Sequence, residues 1–158
     1  MAIRNPTELK QNLGEGQRLL GLDVGTKTIG LAISDRGLAI ATPLETLRRT
    51  KLSDDAERLR RIIAERNVGG LVIGLPLSMN GTEGSRCQSV RQFAANLLER
   101  IDIDIAFWDE RLSTVAVERT LIEADVSRKR RAEVIDKMAA AYILQGALDR
   151  MRHEGLRA

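Results

Sequence analysis

Three apolar runs of β character follow one another within residues 18–47, separated only by short turns. They are Arg18–Val24, Ile29–Ser34 and Leu38–Leu47, with Gly25-Thr26-Lys27-Thr28 and Gly37 between them. Connections this short join antiparallel neighbours, because a parallel return needs a crossover of a dozen or more residues. Pro43 cannot donate to a ladder, which puts the third run at an edge or beside a bulge. The period then changes. Ser53 reads as a helix N-cap, Ala56, Leu59, Ile62 and Ile63 recur at helical spacing, and Gly69-Gly70 is expected to stop the helix. Leu71–Leu75 reads as a buried parallel strand, Pro76–Gly84 as a loop, Ser85–Ile101 as a helix and Ile103–Trp108 as a strand. Helices over about Ser113–Ala124 and Ala132–Arg152 follow, joined by the basic run Arg128–Arg131. The expected fold is α/β: a mixed five-stranded sheet, an antiparallel three-strand meander leading into β-α-β crossovers, flanked by helices. Residues 1–17 read as a flexible tail with at most one short helical turn, 18–152 as a single domain and 153–158 as a second tail.

A chain of 158 residues suits one domain and can bury a core without disulfides. Cys87 is the only cysteine and His153 the only histidine. A Cys-based zinc site, a Ser-His-Asp triad and a multi-histidine metal site are therefore excluded within one chain. Cys87 reads as a small helix residue and His153 as a surface one. No apolar stretch is long enough to span a membrane, and residues 1–17 hold no signal-type run, so a cytoplasmic location is expected. The formal net charge is +3. From Arg128 onward eight basic residues face four acidic ones, which makes that stretch +4 and the rest −1. Such asymmetry points to a polyanion partner.

Hydrolytic chemistry in such a chain must rest on carboxylates, hydroxyls, lysines or bound metal. Asp23 ends the first apolar run, where it is either a turn-capping residue or a ligand at a strand end. Asp109 and Glu110 end the last strand, and alternation lets at most one share a face with Asp23. Asp136 lies on the same helix stripe as Ala139, Ala140 and Ile143, which is apolar. It is either a first-turn residue favoured by the helix dipole or a placed ligand. Three carboxylates brought together need a cation between them. Oxygen ligands without nitrogen or sulfur select Mg²⁺ or Mn²⁺. Two such ions at ~4 Å would activate water and stabilise the leaving oxygen in phosphodiester hydrolysis.

Four motifs in order carry a resemblance. They are Leu22-Asp23-Val24-Gly25-Thr26-Lys27-Thr28-Ile29-Gly30, the glycine loop Gly74–Gly84, Asp109-Glu110-Arg111-Leu112-Ser113-Thr114, and Arg128-Lys129 with Ile135-Asp136 and Ala139-Ala140. Together they resemble the YqgF/RuvX family over roughly residues 18–150. The resemblance implies an RNase H-like, resolvase-like fold and a nuclease of 5′-end maturation of pre-16S ribosomal RNA. It implies Asp23, Glu110 and Asp136 as catalytic and metal-holding residues. Thr28 stands where that family usually has arginine, which removes one phosphate contact and leaves Lys27.

Lys27 and Arg111 flank the expected site and could hold phosphate oxygens, or be solvated. Arg128, Lys129, Arg130 and Arg131 would meet a nucleic-acid backbone without reading its sequence. Gly81 and Gly84 give the glycine loop room to move, or simply turn the chain. Aromatics are scarce, and Trp108 and Tyr142 are expected to pack in the core. The expected partners are structured RNA and branched DNA, with a homodimer left open. Three functions compete. They are a metal-dependent nuclease on RNA or on Holliday junctions, a nucleotide phosphotransferase suggested by Asp23-x-Gly25-Thr26, and a non-catalytic nucleic-acid-binding module. The length tells against the phosphotransferase, whose superfamily clamps a nucleotide between two domains.

Overall fold

The computed structural model describes residues 3–77, 80, 81, 83–110 and 128–157, the last range without side-chain detail at 128–133 and 154–157. The strands are β1 (Ile3–Arg4), β2 (Arg18–Val24), β3 (Thr28–Ser34), β4 (Ala41–Arg48), β5 (Val68–Leu75) and β6 (Asp104–Asp109). The helices are α1 (Pro6–Gln11), α2 (Leu52–Glu65), α3 (Ser85–Leu98) and α4 (Arg128–Arg157). One mixed sheet runs β1-β6-β5-β2-β3-β4. The meander is present as β2-β3-β4, antiparallel throughout. β5 then pairs parallel to β2, and β6 parallel to β5. β4 is one edge strand, β1 the other, and the register of β4 against β3 shifts at Leu31/Ala32, directly opposite Pro43 and Glu45.

The sheet has six strands rather than five, because the segment expected to be a tail adds one. β1 pairs parallel to β6, with Ile3 opposite Ile105. Asn5 caps α1 with a capping box: its side chain accepts from the Glu8 N–H, and Glu8 reaches back to the Asn5 N–H. Leu9 of α1 is fully buried. The glycines expected to stop α2 instead lie inside β5 and admit this segment. A Cβ on Gly70 would lie 2.7 Å from Leu9 Cδ1, and one on Gly69 2.7 Å from Leu13 Cδ2. α2 ends earlier, at Arg66 and Asn67, where Asn67 takes φ 54°. Asparagine tolerates that left-handed conformation better than most residues. The cap of α2 is Lys51 rather than Ser53. β4 begins at Ala41 rather than Leu38, because the Asp35 carboxylate accepts the N–H groups of Ala39 and Ile40 and holds them in the turn. Residues 113–124, expected to be helical, lie outside the described residues.

The two sheet faces differ in side-chain size. Leu20, Leu22, Ile29, Leu31, Leu71 and Ile73 fill one face beneath α2 and α3. The other face is small. Gly21, Gly30, Ala32, Val72, Gly74 and Ala106 lie beneath α4 and α1. α4 answers with Ala140, Ile143, Leu144, Ala147 and Leu148, all buried. Tyr142 falls off that stripe and is 45 % exposed, contrary to its expected place in the core. Trp108 is half-buried and packs on Gly146. The approach is closest at Gly30, where a Cβ would overlap the main-chain carbonyl of Asp136.

Helix backbone cannot swing aside as a side chain can. Gly30→Ala should therefore cost roughly 1–3 kcal/mol, the usual range for overpacking a well-filled core. Denaturant unfolding would measure it, and an unchanged midpoint would contradict the packing described.

Candidate active site

Strand alternation decides which carboxylates meet. On β2, Leu19 and Gly21 face α4, so Asp23 does too. On β6, Ala106 and Trp108 face α4, so Glu110 follows them and Asp109 turns to the opposite side. The N–H of Glu110 donates to Leu75 O at 3.2 Å, which carries the β5–β6 pairing one residue past β6. Gly74 leaves room beside it: a Cβ there would lie 2.5 Å from Glu110 Oε2. Asp23 and Glu110 share a side-chain hydrogen bond. Two carboxyl groups can do so only when one of them holds a proton.

The electrostatics match that geometry. Burial, first of all, pushes Asp23 up from its usual 3.8 to about 6. The Asp136 charge adds to the rise, while the Glu110 hydrogen bond and Arg86 oppose it. Burial also leads for Glu110, which rises from 4.5 to about 8, helped by the Asp23 charge and hydrogen bond and opposed by Arg86. Each group is disfavoured as an anion because it is desolvated and faces a neighbouring carboxylate charge, Asp136 for Asp23 and Asp23 for Glu110.

Asp136 reaches this end of the sheet from the first half of α4. Its Oδ2 accepts a 2.7 Å hydrogen bond from Thr28 Oγ1. Thr28 thus tethers an acidic side chain. Asp136 lies near enough to raise Asp23, yet among the described residues no set of three or more His, Cys, Asp or Glu side chains gathers at ligating distance. Two of the three expected carboxylates are in direct contact, and the third is held beside them by Thr28.

The other expected residues take these places. Lys27 is exposed in the β2–β3 turn. Gly81 has φ 84°, a conformation that favours glycine, and Gly84 is the extended N-cap of α3. Arg111 lies outside the described residues, and Arg128, Lys129, Arg130 and Arg131 occupy the first turn of α4 without described side chains. Two arginines join the site that sequence reasoning missed. Arg86, in the first turn of α3, places Nη2 3.4 Å from Val24 O and draws both Asp23 and Glu110 downward. A cation in a helix's first turn opposes the helix dipole, which was the available signal. Arg49 donates to Gly25 O at 2.7 Å and lies over the Phe93 ring, bracing the turn that follows Asp23.

The donor set fits a divalent cation. Asp23 and Glu110 would supply paired oxygen ligands, both with proton affinity raised first by burial, and nitrogen and sulfur donors are absent from the pair.

Carboxylates at the carboxyl ends of parallel strands, on a sheet begun by an antiparallel meander and backed by a helix bearing a third, define an RNase H-like protein of the resolvase type. The fold is similar to that of T. thermophilus RuvC solved with a Holliday junction substrate, with TM-score 0.52 and 12% identity over 85% of this chain and 96% of that one. The chain belongs to the RuvX family, described as Holliday junction resolvase, which it matches over residues 17–150. Among its relatives is a Paramagnetospirillum magneticum protein, 65% identical over 94% of this chain and 96% of its own length. Another, from Rhodospirillum centenum, is 61% identical over 96% of this chain and 84% of its own length. Both carry the name "Putative pre-16S rRNA nuclease".

Raised folded-state values for Asp23 and Glu110 mean that the folded protein holds protons the unfolded chain would release. Their stabilising contribution is full below about pH 4 and is lost as pH rises through about 6 and then about 8. In EDTA, the wild type should therefore lose more melting temperature between about pH 5 and pH 8.5 than Glu110→Gln. A wild type that loses no more than the variant would contradict the pairing.

Proposed function

We propose that the protein is a metal-dependent nuclease that hydrolyses phosphodiester bonds in 5′-end maturation of pre-16S ribosomal RNA. The observation that carries this reading is the Asp23–Glu110 pair, half-buried and mutually hydrogen-bonded at the open end of the sheet. The names of the relatives give the substrate class. Asp23, Glu110 and Asp136 are the proposed catalytic and metal-holding residues. Mg²⁺ or Mn²⁺, as two ions, would supply charge neutralisation and a hydroxide-like water at neutral pH.

The chain's own residues divide the remaining work. Asp23 and Glu110 would hold the cation, whose charge would take the place of the proton they share. Thr28 keeps Asp136 oriented toward the pair through its 2.7 Å bond. Arg86 stands beside the carboxylates from the start of α3, and Lys27 lies exposed on the adjoining turn. Both are suited to the non-bridging oxygens of a phosphodiester. The basic start of α4, Arg128–Arg131, would hold the backbone on either side of the cut. Thr28 in place of arginine leaves that role to Lys27 and Arg86. The proposed single domain runs over residues 3–157, since β1 and α1 pack into the sheet and α4 reaches Arg157. The proposed location is cytoplasmic, in keeping with an rRNA substrate. Among the described residues no helix is long and apolar enough to cross a membrane.

The family description and the RuvC-like fold favour one second reading, cleavage of branched DNA at a Holliday junction. Mn²⁺-dependent cleavage should be compared on a 5′-extended 16S precursor fragment and a four-way DNA junction. The RNA is expected to be cut, and Asp23→Asn and Asp136→Asn should each lower the rate on the order of a hundredfold or more, since bound metal supplies several kcal/mol of charge stabilisation. Undiminished cleavage by Asp23→Asn would sink the mechanism, and cutting of the junction alone would replace the RNA reading.

A further inference from the structure

The end of the sheet opposite the carboxylates carries a second feature that the mechanism does not use. Arg18 at the start of β2, Arg36 in the β3–β4 turn and Arg66 at the end of α2 line one cavity of about 400 Å³, together with Glu65 and Asn67. Three guanidinium groups face one carboxylate there, a lining charge of +2. Among the described residues none of the three arginines has an ion-pair partner within 4.0 Å, Glu65 included. Asp35, next to Arg36 in the chain, spends one carboxylate oxygen on the Ala39 and Ile40 N–H groups at 2.7 and 3.0 Å.

Like charges placed together without partners repel, and nothing in the folding of this corner requires them. The backbone fixes the corner without the guanidiniums. The Arg18 N–H donates to Asn67 O at 2.9 Å, and Asn67 Nδ2 donates to Gly16 O at 3.2 Å. The arginines thus surround an ordered concavity with donors left over. A guanidinium presents a planar fork that matches phosphate oxygens, and it is weakly hydrated enough to give up water for them.

We propose that the Arg18–Arg36–Arg66 cavity is a second anion site that takes a backbone phosphate of the nucleic-acid ligand, remote from the cut. This rests on the nucleic-acid reading of the carboxylate site. Arg18 and Asp23 are five residues apart on one strand, about 17 Å at ~3.3 Å per residue. A duplex presents a charge every ~1.7 Å of its axis, so one ligand easily covers both ends. Exposed cations also mark both ends of the same sheet edge. Lys27 and Arg48 lie at the carboxylate end of the β3–β4 pair and Arg36 at the other. A free phosphate would need only the cavity. The matching cations along the edge favour a long polyanion.

The test is fluorescence anisotropy of a labelled RNA duplex of about 30 base pairs with the full-length protein in EDTA, so that nothing is cut. The salt dependence of binding is measured for wild type and for Arg18→Gln/Arg36→Gln/Arg66→Gln. The triple variant should bind more weakly, and its log–log salt slope should be shallower by about 0.9, the contribution of the one phosphate no longer engaged. Single Arg36→Gln and Arg66→Gln variants, each expected to weaken binding and to flatten the slope by part of that amount, replace it if the triple variant misfolds. Cleavage of a substrate too short to leave the carboxylate end should be unchanged, which separates this site from the catalytic one. An unchanged salt slope overturns the proposal. If inorganic phosphate raises the melting temperature of wild type but not of the variant while the slope stays the same, the cavity serves free phosphate and the nucleic-acid assignment fails. The measurement needs no catalysis, so it stands or falls apart from the carboxylate mechanism.

Discussion

Helix α4 lies against a sheet face cleared of side chains along its line of closest approach, at Gly21, Gly30 and Gly74. Gly21, Gly30 and Gly74 each sit where a Cβ would strike α4 or, at Gly74, Ile143 and Glu110 together. Side chains normally hold a helix away from the sheet it covers. Here the helix backbone itself makes contact at Gly30, and the carboxylate one side chain away drops to the level of the strand ends. The same glycine face that buries Ala140, Ile143 and Leu144 therefore also delivers Asp136 to Thr28. Packing and site geometry are one constraint. A larger residue at Gly30 would lift the helix and pull Asp136 from Thr28 without itself reaching Asp23 or Glu110.

The second consequence is electrostatic. Desolvation leads the causes that raise Asp23 and Glu110, with the Asp136 charge adding at Asp23 and the Asp23 charge adding at Glu110. Left alone, the pair keeps a proton near neutral pH. The fold thus stores a demand for positive charge at the open end of its parallel strands, the place where α/β sheets generally hold their ligands. Arg86 meets part of that demand from α3, but it stands at the start of a helix whose dipole it opposes, which leaves it disposed toward an incoming anion. Thr28 contributes a neutral donor where an arginine would have brought a further charge, so Asp136 is oriented without being neutralised.

Much of the fold was legible because its central strands are continuous apolar runs. β2, β3 and β5 lie within a few residues of where those runs put them, and the Pro43 irregularity falls where an edge strand allows it. β1 and α1 were not legible. Two strand residues and a six-residue helix carry too little periodicity, and what secures them is Gly69 and Gly70 on a distant strand, whose meaning locally is a helix stop. Of the site, Asp23 and Asp136 were visible as polar residues placed on apolar runs. The choice of Glu110 over Asp109 came only from the family resemblance, since parity within β6 shows that the two face opposite ways but not which way. Arg86 was missed because its partners are remote in sequence, and Tyr142 was misplaced because it sits one step off the buried stripe.

We propose that the close approach of α4 to Gly30 assembles a cation site from Asp23, Glu110 and Asp136. Isothermal titration of Mn²⁺ into the full-length protein near pH 7.5 tests it directly, with Gly30→Ala and Glu110→Gln alongside wild type. Saturable binding by wild type is expected, weakened in Glu110→Gln, which loses a ligand, and also in Gly30→Ala, which loses none but displaces the helix. Equal Mn²⁺ affinity in all three folded proteins would contradict the account.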